Sequence, residues 1–119
     1  MDIFCKIING EIPSKTIYED EKVKVILDVS PKHTGHTLIL PKKHYLDLHD
    51  IDIEVLTHIM EVAKKISNLL EEKLKPHSIV LLQNNGKEQE VKHYHLHLIP
   101  VYDEDPQTDL EKVFEILTK

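Results

Sequence analysis

Three histidines occupy alternate positions, His93, His95 and His97, inside the apolar run 91–100. If this run is a β-strand, the alternation of side chains places all three imidazoles on one face, about 6.5–7 Å from one to the next. Rings that gain a charge near neutral pH are costly to bury as core. The pattern therefore predicts a strand that carries a functional site. The alternative is a solvated strand face that happens to contain histidines.

The composition limits the class of protein. The chain has 119 residues, 40% hydrophobic and 30% charged, which is typical of one globular domain spanning 1–119. A formal net charge of −6 argues against nucleic-acid binding, because phosphate backbones require clustered Lys and Arg, but a single nucleotide remains compatible. No apolar run is long enough to span a membrane. One cysteine, Cys5, and a start without a signal-peptide pattern lead us to expect a cytoplasmic protein.

The spacing of apolar residues predicts the order of the elements. We expect a short helix at 3–9, strands at 16–19, 22–28 and 36–40, and a buried strand at 78–83 that forms a hairpin with the histidine strand. A long helix, capped by Asp52 and ended by Pro76, carries an apolar stripe. Asp109 caps a last helix. Together these elements predict an α+β fold, with an about five-stranded, mainly antiparallel sheet, one long helix packed on it and short helices at both termini.

Two chemical roles fit three aligned imidazoles. They could hold a zinc ion, which neutral histidines ligate well. Alternatively, one ring attacks an electrophilic phosphorus or acyl centre while its neighbours stabilise the developing charge. The polar groups nearby are Asn84 and Gln89, with Glu90 the only acid. Neutral amides favour oxygen recognition over metal binding only weakly, so the residues alone leave both roles open.

The histidine run resembles the signature of the histidine triad (HIT) family, in which three histidines alternate with apolar residues. Further motifs fall in the family's order from Ile3 to about Pro100: FCKI at 4–7, EIPS at 11–14, YED at 18–20, DVSP at 28–31, GHTL at 35–38, PKKH at 41–44 and NNG at 84–86. The chain is most similar to the Hint-like branch of nucleoside phosphoramidases.

The resemblance implies a HIT-like fold and a purine nucleotide hydrolase or nucleotidyl transferase. The implied reaction cleaves nucleoside 5′-phosphoramidates, of the type in which AMP is joined to an amine, through a nucleotidyl-histidine intermediate. Alternatives within reach of the same residues are dinucleoside polyphosphate hydrolysis, a nucleotide-binding module without catalysis, and a zinc-dependent hydrolase that uses the three histidines.

The resemblance also implies roles for individual residues. His95 would be the nucleophile, oriented by a backbone carbonyl near His93, and His93 would support the site. The phosphate would be bound by His97, Gln89 and Asn84, and His36 would join the proton network of the leaving group. Asp28 would accept the ribose hydroxyls. The base would lie against a group of apolar side chains: Phe4, Ile7, Ile12 and Val29.

Three positions, Asp2, Glu88 and Glu90, depart from the family pattern. Glu88 stands where a glycine is expected in a shortened loop, and Glu90 stands where some members have a serine that assists the leaving amine. Many relatives bind structural zinc through two cysteines near the start and two histidines, here His44 and His93. This chain offers Asp2 and Cys5 instead, so we expect the zinc site to be lost and no cofactor to be required. Members of this branch form homodimers, which we also expect here.

Overall fold

The computed structural model describes residues 2–119 and contains three α-helices and five strands. In chain order these are α1 (Ile3–Ile8), β1 (Thr16–Glu19), β2 (Val23–Leu27), β3 (Thr37–Pro41), α2 (Ile53–Leu74), β4 (Ser78–Leu82), β5 (Leu96–Val101) and α3 (Leu110–Thr118). The strands form one sheet in the order β1-β2-β3-β5-β4, and every neighbouring pair is antiparallel. The predicted α+β architecture is confirmed. No helix within 2–119 is both long and apolar enough to cross a membrane.

The two faces of the sheet are covered unequally. The apolar stripe of α2 packs on one face and forms the larger core, which includes Ile39, Leu98, Ile59 and Leu70. On the other face lies a smaller cluster of buried apolar side chains: Phe4, Ile7, Ile26, Leu38 and Leu40. Since side chains alternate along β5, His97 lies on this second face, opposite Leu96 and Leu98. The helix-poor face of the sheet is therefore free to carry polar groups.

Helix α1 is short, and its start is fixed by a side-chain cap. The Asp2 carboxylate accepts a hydrogen bond from the Cys5 backbone N–H at 2.8 Å, which satisfies a donor that has no partner within the helix. Phe4 and Ile7 then point to the sheet and are buried. Asp109 caps α3 in the same way, through the Lys112 N–H, as predicted. Asp52 occupies the predicted N-cap position of α2 but makes no capping bond there, because its carboxylate accepts from Tyr45 Oη.

Two predictions about strands are wrong. The histidine strand was predicted from residue 91, but β5 begins at Leu96, so His93 and His95 lie in the irregular segment before it. The run 78–83 was predicted to be buried, yet β4 is the edge of the sheet, with Val80 and Leu81 45% and 43% exposed. A continuous apolar run is typical of a strand covered on both faces. Here it marks an uncovered edge instead.

Candidate active site

The three histidines do not share one site. His95 and His97 line a cavity of about 320 Å³ that opens on the helix-poor face of the sheet. His93 is fully buried, and its Nε2–H donates to the Pro41 carbonyl at 3.0 Å. The His93 ring still lies on the same side of the sheet as His95 and His97, because it contacts Phe4 with 5.9 Å between ring centroids, whereas Tyr94, Leu96 and Leu98 belong to the larger core on the other side. The predicted common face is therefore confirmed, but of the three histidines only His95 and His97 line the cavity.

The His95 ring is oriented by a single backbone contact. Its Nδ1–H donates to the His93 carbonyl at 2.7 Å. A carbonyl can only accept, so the proton of the neutral ring is on Nδ1 and a lone pair is on Nε2. The edge of the Phe4 ring packs against the imidazole, with 4.9 Å between ring centroids. This arrangement leaves the unprotonated nitrogen of a cavity-lining histidine available as a nucleophile.

A second chain of hydrogen bonds fixes the protons on His36 and His97. The Lys32 backbone N–H donates to His36 Nδ1 at 3.1 Å. Because this nitrogen accepts, the proton of neutral His36 lies on Nε2, which donates to His97 Nδ1 at 2.9 Å. His97 must then carry its own proton on Nε2. The chain therefore ends in an N–H donor on a residue that lines the cavity.

Burial keeps both members of this chain neutral. Burial, together with the charges of His95 and His36, lowers the pKa of His97 to about 4. The pKa of His36 is also lowered, chiefly by burial, although the nearby Asp28 carboxylate acts in the opposite direction. One Asp28 oxygen lies 3.6 Å from His36 Nε2. Neutral imidazoles accept and donate at once, as a proton-relay chain requires.

The other predicted site residues divide into two groups. Asp28 and Asn84 line the cavity with the histidines. Gln89 does not line it, because its side-chain amide is buried and donates to the Leu46 carbonyl. A phosphate-binding role would require that side chain to leave Leu46, so the role of Gln89 stays a prediction.

The residues predicted to form the base pocket also separate. Phe4 and Ile7 lie in the small core behind His95, and Ile12 is partly buried against that core. Val29 is 76% exposed and follows Asp28 in the loop beside the cavity. None of the four lines the cavity itself. Their roles as base contacts remain predictions.

Four lining residues carry no predicted binding role. Ser30 and Lys32 come from the loop after Asp28, Leu82 ends β4 and Glu90 follows the turn. The loop residues give no periodic or motif signal in the sequence beyond following Asp28 closely. The key contribution of Lys32 is a backbone N–H, which any residue other than proline would supply. Sequence patterns therefore could not have identified it.

Two groups of potential metal ligands converge within the described residues, and neither contains His95. The first is Asp28, His36 and His97, in which His36 Nε2 is already hydrogen-bonded to His97 Nδ1. The second is Asp2, Cys5, His44 and His93, whose ligand atoms all lie within 4.8 Å of one another. A zinc ion held jointly by the three alternating histidines is therefore not supported.

The second group has the donor set of a zinc site, although His44 Nε2–H donates to the Lys92 carbonyl at 2.8 Å and must give up that bond to act as a ligand. His93 Nδ1 lies 3.5 Å from Cys5 Sγ and 3.4 Å from an Asp2 oxygen, and that oxygen lies 3.2 Å from His44 Nε2. One carboxylate, one thiol and two imidazoles are all accepted zinc ligands. The Nε2–H of His93 is held by the Pro41 carbonyl, which leaves Nδ1 with its lone pair towards the other three residues.

Comparison with known proteins identifies the family. The model of the HIT domain matches residues 9–104. An uncharacterized HIT-like protein from Methanocaldococcus jannaschii is 46% identical over 107 residues, covering 88% of this chain and 82% of its own. Adenosine 5′-monophosphoramidase from Saccharomyces cerevisiae is 48% identical over 104 residues, covering 86% of this chain but 63% of the yeast enzyme. A zinc-bound histidine triad family protein from Mycobacterium smegmatis superimposes with a TM-score of 0.89 at 35% identity, covering 98% of this chain and 89% of its own.

The chain belongs to the HIT family, as the histidine run and its companion motifs predicted. Membership supports hydrolase chemistry on a nucleotide. The chain spans less than two thirds of the length of the yeast enzyme.

Proposed function

We propose that this protein hydrolyses purine nucleoside 5′-phosphoramidates, of the type that joins AMP to an amine, with His95 as the nucleophile. The observation that carries this proposal is the bond from His95 Nδ1–H to the His93 carbonyl, which leaves the lone pair on Nε2 of a cavity-lining ring. The phosphoramidase name of the yeast relative supports the substrate class.

The reaction proceeds as two displacements. His95 Nε2 attacks the α-phosphorus, the P–N bond to the amine breaks, and the leaving amine takes a proton from solvent water, while His36 orients His97 so that its Nε2–H is available to the phosphate. Water then attacks the phosphorus, the bond to His95 breaks, and the proton that this water loses returns to solvent. Covalent catalysis of this kind replaces one difficult step by two easier ones. Hydrogen-bond donors such as His97 Nε2–H stabilise the developing charge, so the mechanism requires no metal ion.

The remaining polar residues are assigned to binding. Asp28 accepts the ribose hydroxyls, and Asn84 contacts the phosphate, together with Gln89 if its side chain turns towards the cavity. Phe4, Ile7, Ile12 and Val29 supply apolar surface for the base. The exposed carboxylate of Glu90 also lines the cavity, where it can accept but not donate hydrogen bonds.

The proposal is tested with an AMP–amine conjugate and purified protein. His95→Ala should lower turnover at least about 100-fold, since the nucleophile is lost, and should still bind AMP. Wild-type protein quenched during turnover should gain the mass of one AMP on the peptide that contains residue 95. His77→Asn is the matched control, because His77 is exposed and does not line the cavity.

Three results would contradict the proposal in different ways. Turnover of diadenosine polyphosphates without turnover of the conjugate would indicate the sister activity of the family. Tight AMP binding with no turnover of either compound would indicate a binding module. Loss of turnover on chelation, with His95→Ala still active, would indicate a metal-dependent hydrolase.

We also propose that Asp2, Cys5, His44 and His93 hold a structural zinc ion, contrary to the expectation from the missing second cysteine. The convergence of four suitable donors supports this. The ion would fasten α1 to the segment before β5, and the reaction would not proceed through it. A zinc-bound family member with the same fold adds support.

A two-fold homodimer is the proposed assembly. β4 is an edge strand with an unpaired side, and exposed Leu81 and Met60 form an apolar patch with the neighbouring surface of α2. An uncovered apolar edge invites pairing with another strand. We assign the partner strand to a second copy of this chain, because a two-fold axis brings the same patch of both copies together.

The cytoplasmic location expected from the sequence remains a proposal.

A further inference from the structure

The loop from Asp28 to His36 decides where the protons of the site lie. It supplies four lining residues, Asp28, Ser30, Lys32 and His36. One backbone group within it, the Lys32 N–H, is the donor that makes His36 Nδ1 an acceptor. If the loop moved so that this contact was lost, His36 Nδ1 would no longer be held as an acceptor, and the preference for the Nε2–H tautomer would weaken.

The loop has little apolar packing of its own. Val29, Ser30, Pro31 and Lys32 are all exposed. A segment of this kind is expected to sample several conformations unless polar contacts fix it. The contacts that fix it therefore determine the geometry of the site.

Asp105 supplies most of the contacts at the far end of the loop. Its carboxylate accepts from the Thr34 backbone N–H at 3.0 Å and from the Thr34 hydroxyl, and it lies 3.3 Å from His33 Nδ1. Tyr102 Oη–H donates to the Thr34 carbonyl at 2.7 Å. Every polar group of buried Thr34 is thus bonded to the segment after β5.

The turn at 33–36 carries this constraint to His36. The His36 backbone N–H donates to the His33 carbonyl at 3.1 Å, and the Asp28 N–H donates to the His36 carbonyl at 2.9 Å. The segment that holds Thr34 continues directly from β5, the strand that contains His97. One continuous stretch of chain therefore positions both His97 and the loop that orients His36.

We propose that Asp105 is a positioning residue: by binding Thr34 and His33 it holds the Lys32 N–H on His36 Nδ1 and so fixes the protons of His36 and His97 on Nε2. The expected change in turnover rests on the proposed function, whereas the expected change in the tautomers of His36 and His97 does not. Asp105 does not line the cavity and does not contact a substrate there.

The direct test is the tautomeric state of the histidines, read from side-chain ¹⁵N chemical shifts. In wild type, His36 and His97 should both carry the proton on Nε2. In Asp105→Ala, His36 should become a mixture of tautomers, and turnover should fall about 10–100-fold through misplacement of a catalytic group. Asp105→Asn retains an acceptor for the Thr34 N–H and should recover most of both properties.

Asp109→Ala is the matched control. It removes an aspartate from the same segment, and with it the cap of α3, but it leaves the loop contacts in place. It should lower the denaturant midpoint, because the cap is lost, and leave the histidine shifts and turnover unchanged. Tyr102→Phe, which removes only one hydroxyl contact to Thr34, should shift the tautomers slightly and keeps the test available if Asp105→Ala does not fold.

Unchanged ¹⁵N shifts in both Asp105→Ala and Tyr102→Phe would overturn the inference, as would an equal loss of turnover in Asp109→Ala. Failure of the proposed function is a separate result. It would appear as wild-type protein that does not hydrolyse the conjugate, while the tautomer measurement would still report on Asp105.

Discussion

His97 has a native environment that opposes protonation, and this links stability to pH. Burial and the charges of His95, His36 and Lys32, opposed by the Asp28 carboxylate, together lower its pKa from 6.5 to about 4. The unfolded chain then binds more protons than the native protein between these two values. The free energy of unfolding should therefore fall as pH decreases from about 6.5 to about 4 and change little from this source above 6.5.

We expect the contribution of His97 to this loss to be about 2–3 kcal/mol, allowing for solvent in the cavity. His97→Gln removes the titrating group, so its stability should depend less steeply on pH over the same interval. Urea unfolding of both proteins between pH 4 and pH 7 would measure the difference. Parallel curves for the two proteins would show that His97 is not buried as neutral imidazole.

The group of Asp2, Cys5, His44 and His93 leads to a further prediction at the residue scale. Protein purified without chelators should contain about one zinc ion per chain, and zinc should raise its melting temperature. Cys5→Ser and Asp2→Asn should both lose most of the metal, while His77→Asn should retain it. Elemental analysis distinguishes these outcomes. Metal-free wild type, or full occupancy in Cys5→Ser, would exclude a site made by these ligands.

The entry to β3 depends on a glycine for two reasons. Gly35 has φ +87°, a conformation that disfavours side chains, and a Cβ there would lie 2.5 Å from Leu74 Cδ1 and 3.2 Å from Pro100 Cγ. Gly35→Ala should therefore destabilise the protein by about 2–4 kcal/mol, from backbone strain and overpacking together.

Gly10→Ala separates these two causes. Gly10 has φ +82°, but a Cβ there would meet no atom within 4 Å. Only the backbone term applies, so the expected loss is about 1 kcal/mol. Denaturant midpoints of the two variants measure the difference. Equal losses would mean that the contact with α2 adapts without cost.

The sequence predicts the helices and strands more readily than it predicts what covers each of them. The stripe of α2 and the alternation in β2 indicate helix and strand directly, because burial imposes a period on the chain. The apolar run of β4 does not reveal whether a neighbour covers it, so an exposed edge was mistaken for buried core.

Side-chain direction was the harder part of the site. His93 lies on the face that the alternation predicts, but its ring is buried against Phe4 and bonds to the Pro41 carbonyl, so it does not reach the cavity. Gln89 bonds to Leu46, a contact 43 residues away that no local pattern encodes. The family motifs identified His95, His97, His36 and Asp28, which the structure brings to one cavity, whereas backbone contacts such as the Lys32 N–H leave no trace in a sequence.

At the scale of the whole molecule, the exposed edge predicts the oligomeric state. If a second copy covers β4 and the adjoining surface of α2, Leu81→Asp should place a charge in the interface and produce monomers. Val29→Asp, a change at an exposed residue of the cavity loop, should leave the dimer intact. Light scattering after gel filtration gives the mass of each. A monomeric wild type would refute the proposed assembly.

The unequal covering of the sheet has a consequence for how the protein tolerates change. The larger apolar core lies between the sheet and α2, whereas the cavity histidines occupy the opposite side, where α1 contributes only two buried side chains. Most of the apolar burial that favours folding is therefore remote from the reacting groups. Replacing one of those groups disturbs few of the contacts that hold the architecture together. A substitution of one of these groups can therefore abolish activity while the fold is retained.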